Sequence, residues 1–245
     1  MLLPIRAVLF DMFDTLMLIE RDHEFYIPAV QRMHRYLGKR GVDVSYKQFE
    51  ATYNAERIQL YEKADLTLEE PHFNVRISNT LKRLGYSYPI TSVVVSETTS
   101  EFYEEFMKYV RIDPDAKSVL KALHTNYRLG IVSNFAIPEC VYKLLRVSDI
   151  DHFFEVVVVS GAINKRKPSP EIFQSALQML GVSATETVFV GDTIDADIEG
   201  SKAAGMRAVY IERRVQKKPQ ICPDQIVKSL AELPDALEHC QTSKD

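Results

Sequence analysis

Residues 10–17 read FDMFDTLM and begin on the last residue of the apolar run VLF (8–10) near the start of the chain. Asp11 and Asp14 flank Phe13, where a second carboxylate spaced one residue from Asp11 would make immediate chemical sense. The run AVLF (7–10) has the build of a buried strand, and LGIVS (129–133), FEVVVVS (154–160), TVFVG (187–191) and RAVYI (207–211) repeat it. Helical patterns separate the later runs. In PEIFQSALQMLG, Ile172, Ala176, Leu177 and Leu180 share a face, and DIEGSKAAGM reads the same way. Near-continuous apolar strands alternating with helices predict an α/β fold, a doubly wound parallel (Rossmann-like) sheet covered on both faces. Ligands of such sheets lie beyond the carboxyl ends of the strands. That places Asp11, Ser133, Ser160 and Asp192 along one rim.

Between residues 18 and 108 the chain changes character. FYIPAVQRMHRYLGKRG, SYKQFEATYNAERIQLYEK, FNVRISNTLKRLGYSYP and VVSETTSEFYEEFMKYV are charged, tyrosine-rich and helical in period, with glycine or proline punctuation. They predict a helical bundle inserted after the first strand, so that residues 1–17 and 109–245 form the α/β core domain and 18–108 a cap domain over the rim.

The 245 residues suffice for one substantial core or a core with a smaller insert. A composition of 46% hydrophobic and 26% charged residues is that of a soluble globular protein. The net charge of −4 offers no electrostatic footprint for nucleic acid. The basic clusters Lys165-Arg166-Lys167 and Arg213-Arg214 with Lys217-Lys218 are too short to prefer a polyanion over a small anion. Cys140, Cys222 and Cys240 are scattered and odd in number, which argues against a disulfide framework or a cysteine zinc site. With no signal-like leader and no run of roughly 18 apolar residues, the expected setting is cytoplasmic, away from membranes.

Four stretches then fall into one pattern: FDMFDTL, Ser133-Asn134 closing LGIVSN, Lys167-Pro168 within SGAINKRKPSPEIF, and VGDTIDADIEGSKAAGM. Together they resemble the four motifs of the haloacid dehalogenase-like (HAD) hydrolase superfamily, with the helical insert in the place of that family's cap. The resemblance implies Asp11 as nucleophile and metal ligand, Asp192 as metal ligand, and Asp197 in support of the metal, with Asp195 less involved. It implies that Ser133 and Lys167 bind the phosphoryl group with Asn134 assisting, and that Phe13 offers the metal its backbone carbonyl. The implied reaction is Mg²⁺-dependent hydrolysis of a small phosphorylated metabolite through an aspartyl-phosphate. The residue types suit it: two anions must meet, so a hard dication, a lysine and a hydroxyl are needed to neutralise the transferring group. Oligomeric state is left open.

One position departs from the family's phosphatases. Phe13 occupies the slot of the aspartate that moves the leaving-group proton, and a phenyl ring cannot replace it. Positioned proton transfer contributes roughly 10²–10⁴-fold, so low general phosphatase activity is expected. Asp14 matches a slot often held by glycine. An aromatic residue at position 13 also resembles the metal-independent 2-haloacid dehalogenases, with Arg40 or Arg57 as candidate halide ligands, although the retained Asp192 and Asp197 favour phosphoryl chemistry. The family's phosphonate hydrolases would need a cap lysine, for which Lys39, Lys47 and Lys63 are equal candidates. A third possibility is a metal- and anion-binding protein without turnover. Taken singly, each motif has a plain reading: Asp11 as a loop residue or helix cap, Ser133 and Asn134 as turn formers, Lys167 as part of a solvated face, Asp192 as a cap. Tyr53 and Tyr61 read as bundle packing.

Overall fold

The computed structural model describes residues 4–20, 24–213 and 221–242; Arg214, Lys217 and Lys218 lie outside them. Six strands form one sheet in the order β5-β4-β1-β6-β7-β8. They are β1 (Ala7–Phe10), β4 (Arg128–Ser133), β5 (Val156–Val159), β6 (Thr187–Gly191), β7 (Arg207–Ile211) and β8 (Gln225–Val227), with every neighbouring pair parallel. β1 is buried along its whole length, as is β6, because helices cover both faces. The faces alternate residue by residue. Val8 and Phe10 pack in one apolar cluster with Leu120, Val141 and Leu237, whereas Ala7 and Leu9 pack in another with Ile172, Phe173 and Leu177. The sheet is therefore doubly wound, as the sequence predicts.

After β1 a short antiparallel ribbon, β2 (Met17–Ile19) paired with β3 (Val110–Ile112), brackets four helices. These are α1 (Tyr26–Lys39), α2 (Tyr46–Thr67), α3 (Phe73–Arg83) and α4 (Val93–Phe106). Ala29, Val30, Met33 and Leu37 give α1 a single buried stripe. Ser45 and Ser92 cap α2 and α4, their hydroxyls accepting from the Gln48 and Val95 N–H groups. The rest of the chain adds α5 (Ala116–Leu123), α6 (Pro138–Val147), α7 (Ser160–Ile163), α8 (Pro170–Leu180), α9 (Gly200–Ala203) and α10 (Leu233–Thr242). Pro170 opens α8, and Gly181 closes it in the left-handed conformation at φ 61°. Ile172, Phe173, Ala176, Leu177 and Leu180 form its buried face. Among the described residues no helix is long and apolar enough to cross a membrane, and all three cysteines are free.

Candidate active site

β1 and β6 are adjacent and in register, Phe10 opposite Val190, so the residues that follow them emerge side by side. The strand order reverses between these two, at the place where doubly wound sheets bind ligands. Asp11, whose N–H donates to the Val190 carbonyl at 2.8 Å, leaves β1 there, and Asp192 leaves β6. A wide π-helical turn, Ile194–Glu199, follows and brings Asp197 back to the strand ends. The Thr193 carbonyl accepts from both Asp197 N–H (2.8 Å) and Ile198 N–H (3.3 Å), and Thr193 N–H donates to Asp197 Oδ2 at 2.9 Å. Gly191 leaves the space this requires: a Cβ there would lie 2.4 Å from Asp197 Oδ2. One carboxylate oxygen each from Asp11, Asp192 and Asp197 then falls within 4.8 Å of the others.

Lys167 is 2% exposed and reaches into this group, its Nζ 2.6 Å from Asp11 Oδ1 and 2.7 Å from Asp197 Oδ1. Asn134 fixes its backbone, with Oδ1 accepting from Lys167 N–H at 2.7 Å and Nδ2 donating to the Lys167 carbonyl at 2.9 Å. Burial pushes the Asp11 carboxyl up to about 6 against the pull of Lys167, and Asp197 adds to the rise. Burial also lifts Asp192 to about 7, reinforced by Asp11, Asp197 and Asp14. For Lys167, burial disfavours the ammonium, but Asp11 and Asp197 outweigh it and hold the pKa above the usual lysine value. Among the described residues, three buried carboxylates and one ammonium gather at this point. A small dication that prefers oxygen ligands fits that donor set.

These four residues, with Phe13, Asp14 and Asn134, line a pocket of about 230 Å³. Ser133, the last residue of β4, does not line it. Its hydroxyl is fully buried and has no hydrogen-bond partner among the described residues. Asp14 adopts φ 57°, consistent with a glycine-like slot, and its Oδ1 accepts from Ile19 N–H at 3.1 Å. The half-buried Phe13 ring lies 4.8 Å from the ring of Phe135 in the core and 5.6 Å from that of Phe106 in α4. Asp195 is exposed and stands outside the cluster.

A second cavity, of about 770 Å³, adjoins the first and shares Phe13 and Asn134 with it. Rings of Phe25, Phe73, Phe102 and Phe106 line it, as do Arg57 and Arg76. Of the two cap arginines singled out in the sequence, Arg57 faces this cavity while Arg40 turns away to pair with Glu97 at 2.7 Å. Lys39, Lys47 and Lys63 line neither cavity, and Lys63 pairs with Glu69 at 2.9 Å. The tyrosines divide: Tyr53 is buried packing between Phe49 and Phe73, and Tyr61 lines the cavity. Arg76 went unnoticed in the sequence, where a lone arginine in a helical pattern carries no signal.

The doubly wound α/β sheet thus carries an acid cluster and a buried lysine at its switch point, the place where such folds bind their ligands. Residues 5–205 match the haloacid dehalogenase-like hydrolase family, and the chain belongs to it. It is 32% identical over 210 residues to a glyceraldehyde 3-phosphate phosphatase of Pyrococcus abyssi, covering 85% of this chain and 82% of that one. Its structure is similar to that of a HAD phosphatase from Thermococcus onnurineus (TM-score 0.66, 25% identity, 95% of this chain and 98% of that chain). A 2-haloacid dehalogenase from Pseudomonas syringae pv. Tomato DC3000 shares the fold (TM-score 0.73, 22% identity, 96% and 99% coverage).

Proposed function

We propose that this hydrolase is a Mg²⁺-dependent phosphatase of a small phosphorylated metabolite, with Asp11 as nucleophile. The observation that carries the reading is the clustering of Asp11, Asp192 and Asp197 within 4.8 Å around Lys167. Resemblance to relatives named as phosphatases supports it. Asp11, Asp192 and Asp197 would hold the cation, aided by the Phe13 carbonyl, and when bound it neutralises the phosphoryl oxygens and orients them. An Asp11 oxygen attacks phosphorus, the bond to the ester oxygen breaks, and the leaving group takes its proton from water because Phe13 has none to give. Water then hydrolyses the acyl phosphate, releasing phosphate and restoring Asp11. Lys167 stays protonated throughout and balances charge on the transferring group. Asn134 holds Lys167 at the right depth. Residues 18–108 act as a cap that shelters the reaction from water. Three free cysteines suit a cytoplasmic setting.

The second reading is the 2-haloacid dehalogenase, favoured by the aromatic ring at position 13. The three-acid cluster and the outward pairing of Arg40 weigh against it. Purified protein is assayed for Mg²⁺-dependent phosphate release from an activated aryl phosphate and, with chelator present, for halide release from 2-chloropropionate. The phosphatase reading requires the first and loss of it in Asp11→Asn; halide release under chelation overturns it. Neither product, alongside phosphate binding, would leave a binding protein.

A further inference from the structure

We infer that Arg57 and Arg76 form an anion subsite in the aromatic cavity, which selects organophosphates whose leaving group pairs an apolar body with a carboxylate. The inference rests on the phosphatase reading and extends it to substrate class. Arg76 is 7% exposed, yet neither it nor Arg57 forms an ion pair among the described residues. The Nε of each is buried without a hydrogen-bond partner. Aromatic faces hold both guanidiniums in place. The Arg57 Cζ lies 4.6 Å from the Tyr26 ring centre, the Arg76 Cζ 4.8 Å from that of Phe73, and Tyr61 sits between the two at 6.0 Å and 5.2 Å. Arg76 also donates to the Tyr53 hydroxyl at 3.3 Å. Cation–π contacts offset part of the desolvation of a buried cation, but they satisfy none of its N–H groups.

Among the described residues, the one carboxylate in the lining belongs to Glu70, which accepts from the Ser160 hydroxyl. Arg166 lines the cavity as well, so three guanidiniums oppose a single acid among those residues. A planar oxyanion presented edge-on to a guanidinium makes charge-assisted bonds through such open N–H groups. The phenylalanine walls call for an apolar body between that oxyanion and the reacting phosphate. The shared boundary at Phe13 and Asn134 lets one molecule occupy both chambers. A cavity of about 770 Å³ is far larger than a three-carbon phosphate would fill.

The test compares phenyl phosphate, its 4-(2-carboxyethyl) derivative and the matching carboxamide, using the full chain with Mg²⁺. A charge-assisted hydrogen bond predicts a kcat/KM about 10- to 100-fold higher for the carboxylate than for the carboxamide. The ratio should fall toward one in Arg57→Gln and Arg76→Gln. Separately, 3-(4-hydroxyphenyl)propionate and its amide are titrated calorimetrically into the metal-free protein, which needs no turnover. Binding of the acid in preference to the amide supports the subsite even if Arg76→Gln does not fold. Release of phosphate from phenyl phosphate with no carboxylate preference in rate or binding overturns the subsite and leaves the phosphatase reading standing. Preferential carboxylate binding with no phosphate release from any ester sinks the phosphatase reading and keeps the subsite.

Discussion

Asn134 grips the peptide of Lys167 from both sides, accepting from its N–H at 2.7 Å and donating to its carbonyl at 2.9 Å. The contact joins residues from two different strand-end loops, and the buried ammonium depends on it for its depth in the pocket. Asn134→Ala removes both bonds and should lower stability by about 1–3 kcal/mol in denaturant titration. Turnover should fall about tenfold or more while the substrate KM changes less, because in the proposed reaction the displaced ammonium would act on the transferring group. An unchanged kcat in a folded variant would remove Asn134 from this role.

Phe13→Asp tests whether the aromatic ring stands in the proton-transfer slot. The substituted carboxyl should raise kcat, by up to roughly 10²–10⁴-fold for alkyl phosphates with poor leaving groups and less for activated aryl esters. Loss of the ring contacts with Phe106 and Phe135 should cost about 1–3 kcal/mol of stability. A folded variant with no gain on alkyl esters would show that position 13 does not face the leaving group.

The core was legible because both faces of its sheet are covered. β1, β4, β6 and β7 are nearly unbroken apolar runs. Asp11 and Asp192 could be placed from spacing alone, since strand register fixes what emerges at the rim. β2, β3 and β8 left no trace, being three residues long and only partly buried. Of the run Lys165-Arg166-Lys167, which reads as a solvated face, only Lys167 is buried, a matter of loop path that charge pattern does not encode. The motif pattern makes Ser133 the phosphoryl ligand with Asn134 assisting, but the Ser133 hydroxyl lies outside the pocket that Asn134 lines. Arg57 and Arg76 meet across α2 and α3, and how two helices rotate against each other is set by their contacts rather than by either period.

Gly191→Ala probes the fit between β6 and the π-helical turn. The added methyl would stand 2.4 Å from Asp197 Oδ2 and 2.6 Å from Asp197 Cβ, so the carboxylate must move off Lys167 and out of the acid cluster. Mg²⁺ affinity, read from the metal dependence of the melting temperature, should weaken about 10- to 100-fold. Equal affinity in the variant would mean that Asp197 has no part in holding the cation.

Removing metal should expose the raised carboxyl pKa values as a pH dependence. In the metal-free protein burial holds Asp11 at about 6 and Asp192 at about 7, both above the ordinary aspartate value of 3.8. A carboxyl whose folded pKa is raised binds its proton more tightly folded than unfolded. Its stabilising contribution is complete below the unfolded pKa and is lost as pH rises through the folded one. The chelated protein should therefore lose melting temperature between about pH 5 and 8, as the two carboxyls ionise beside Asp197. Glu139, lowered by its bond to His72, and Glu155, lowered by Arg128, work in the opposite sense and act at lower pH. Saturating Mg²⁺ should flatten the decline, since a bound dication favours the ionised carboxylates. A melting temperature that falls equally with and without the metal would place the decline elsewhere in the molecule.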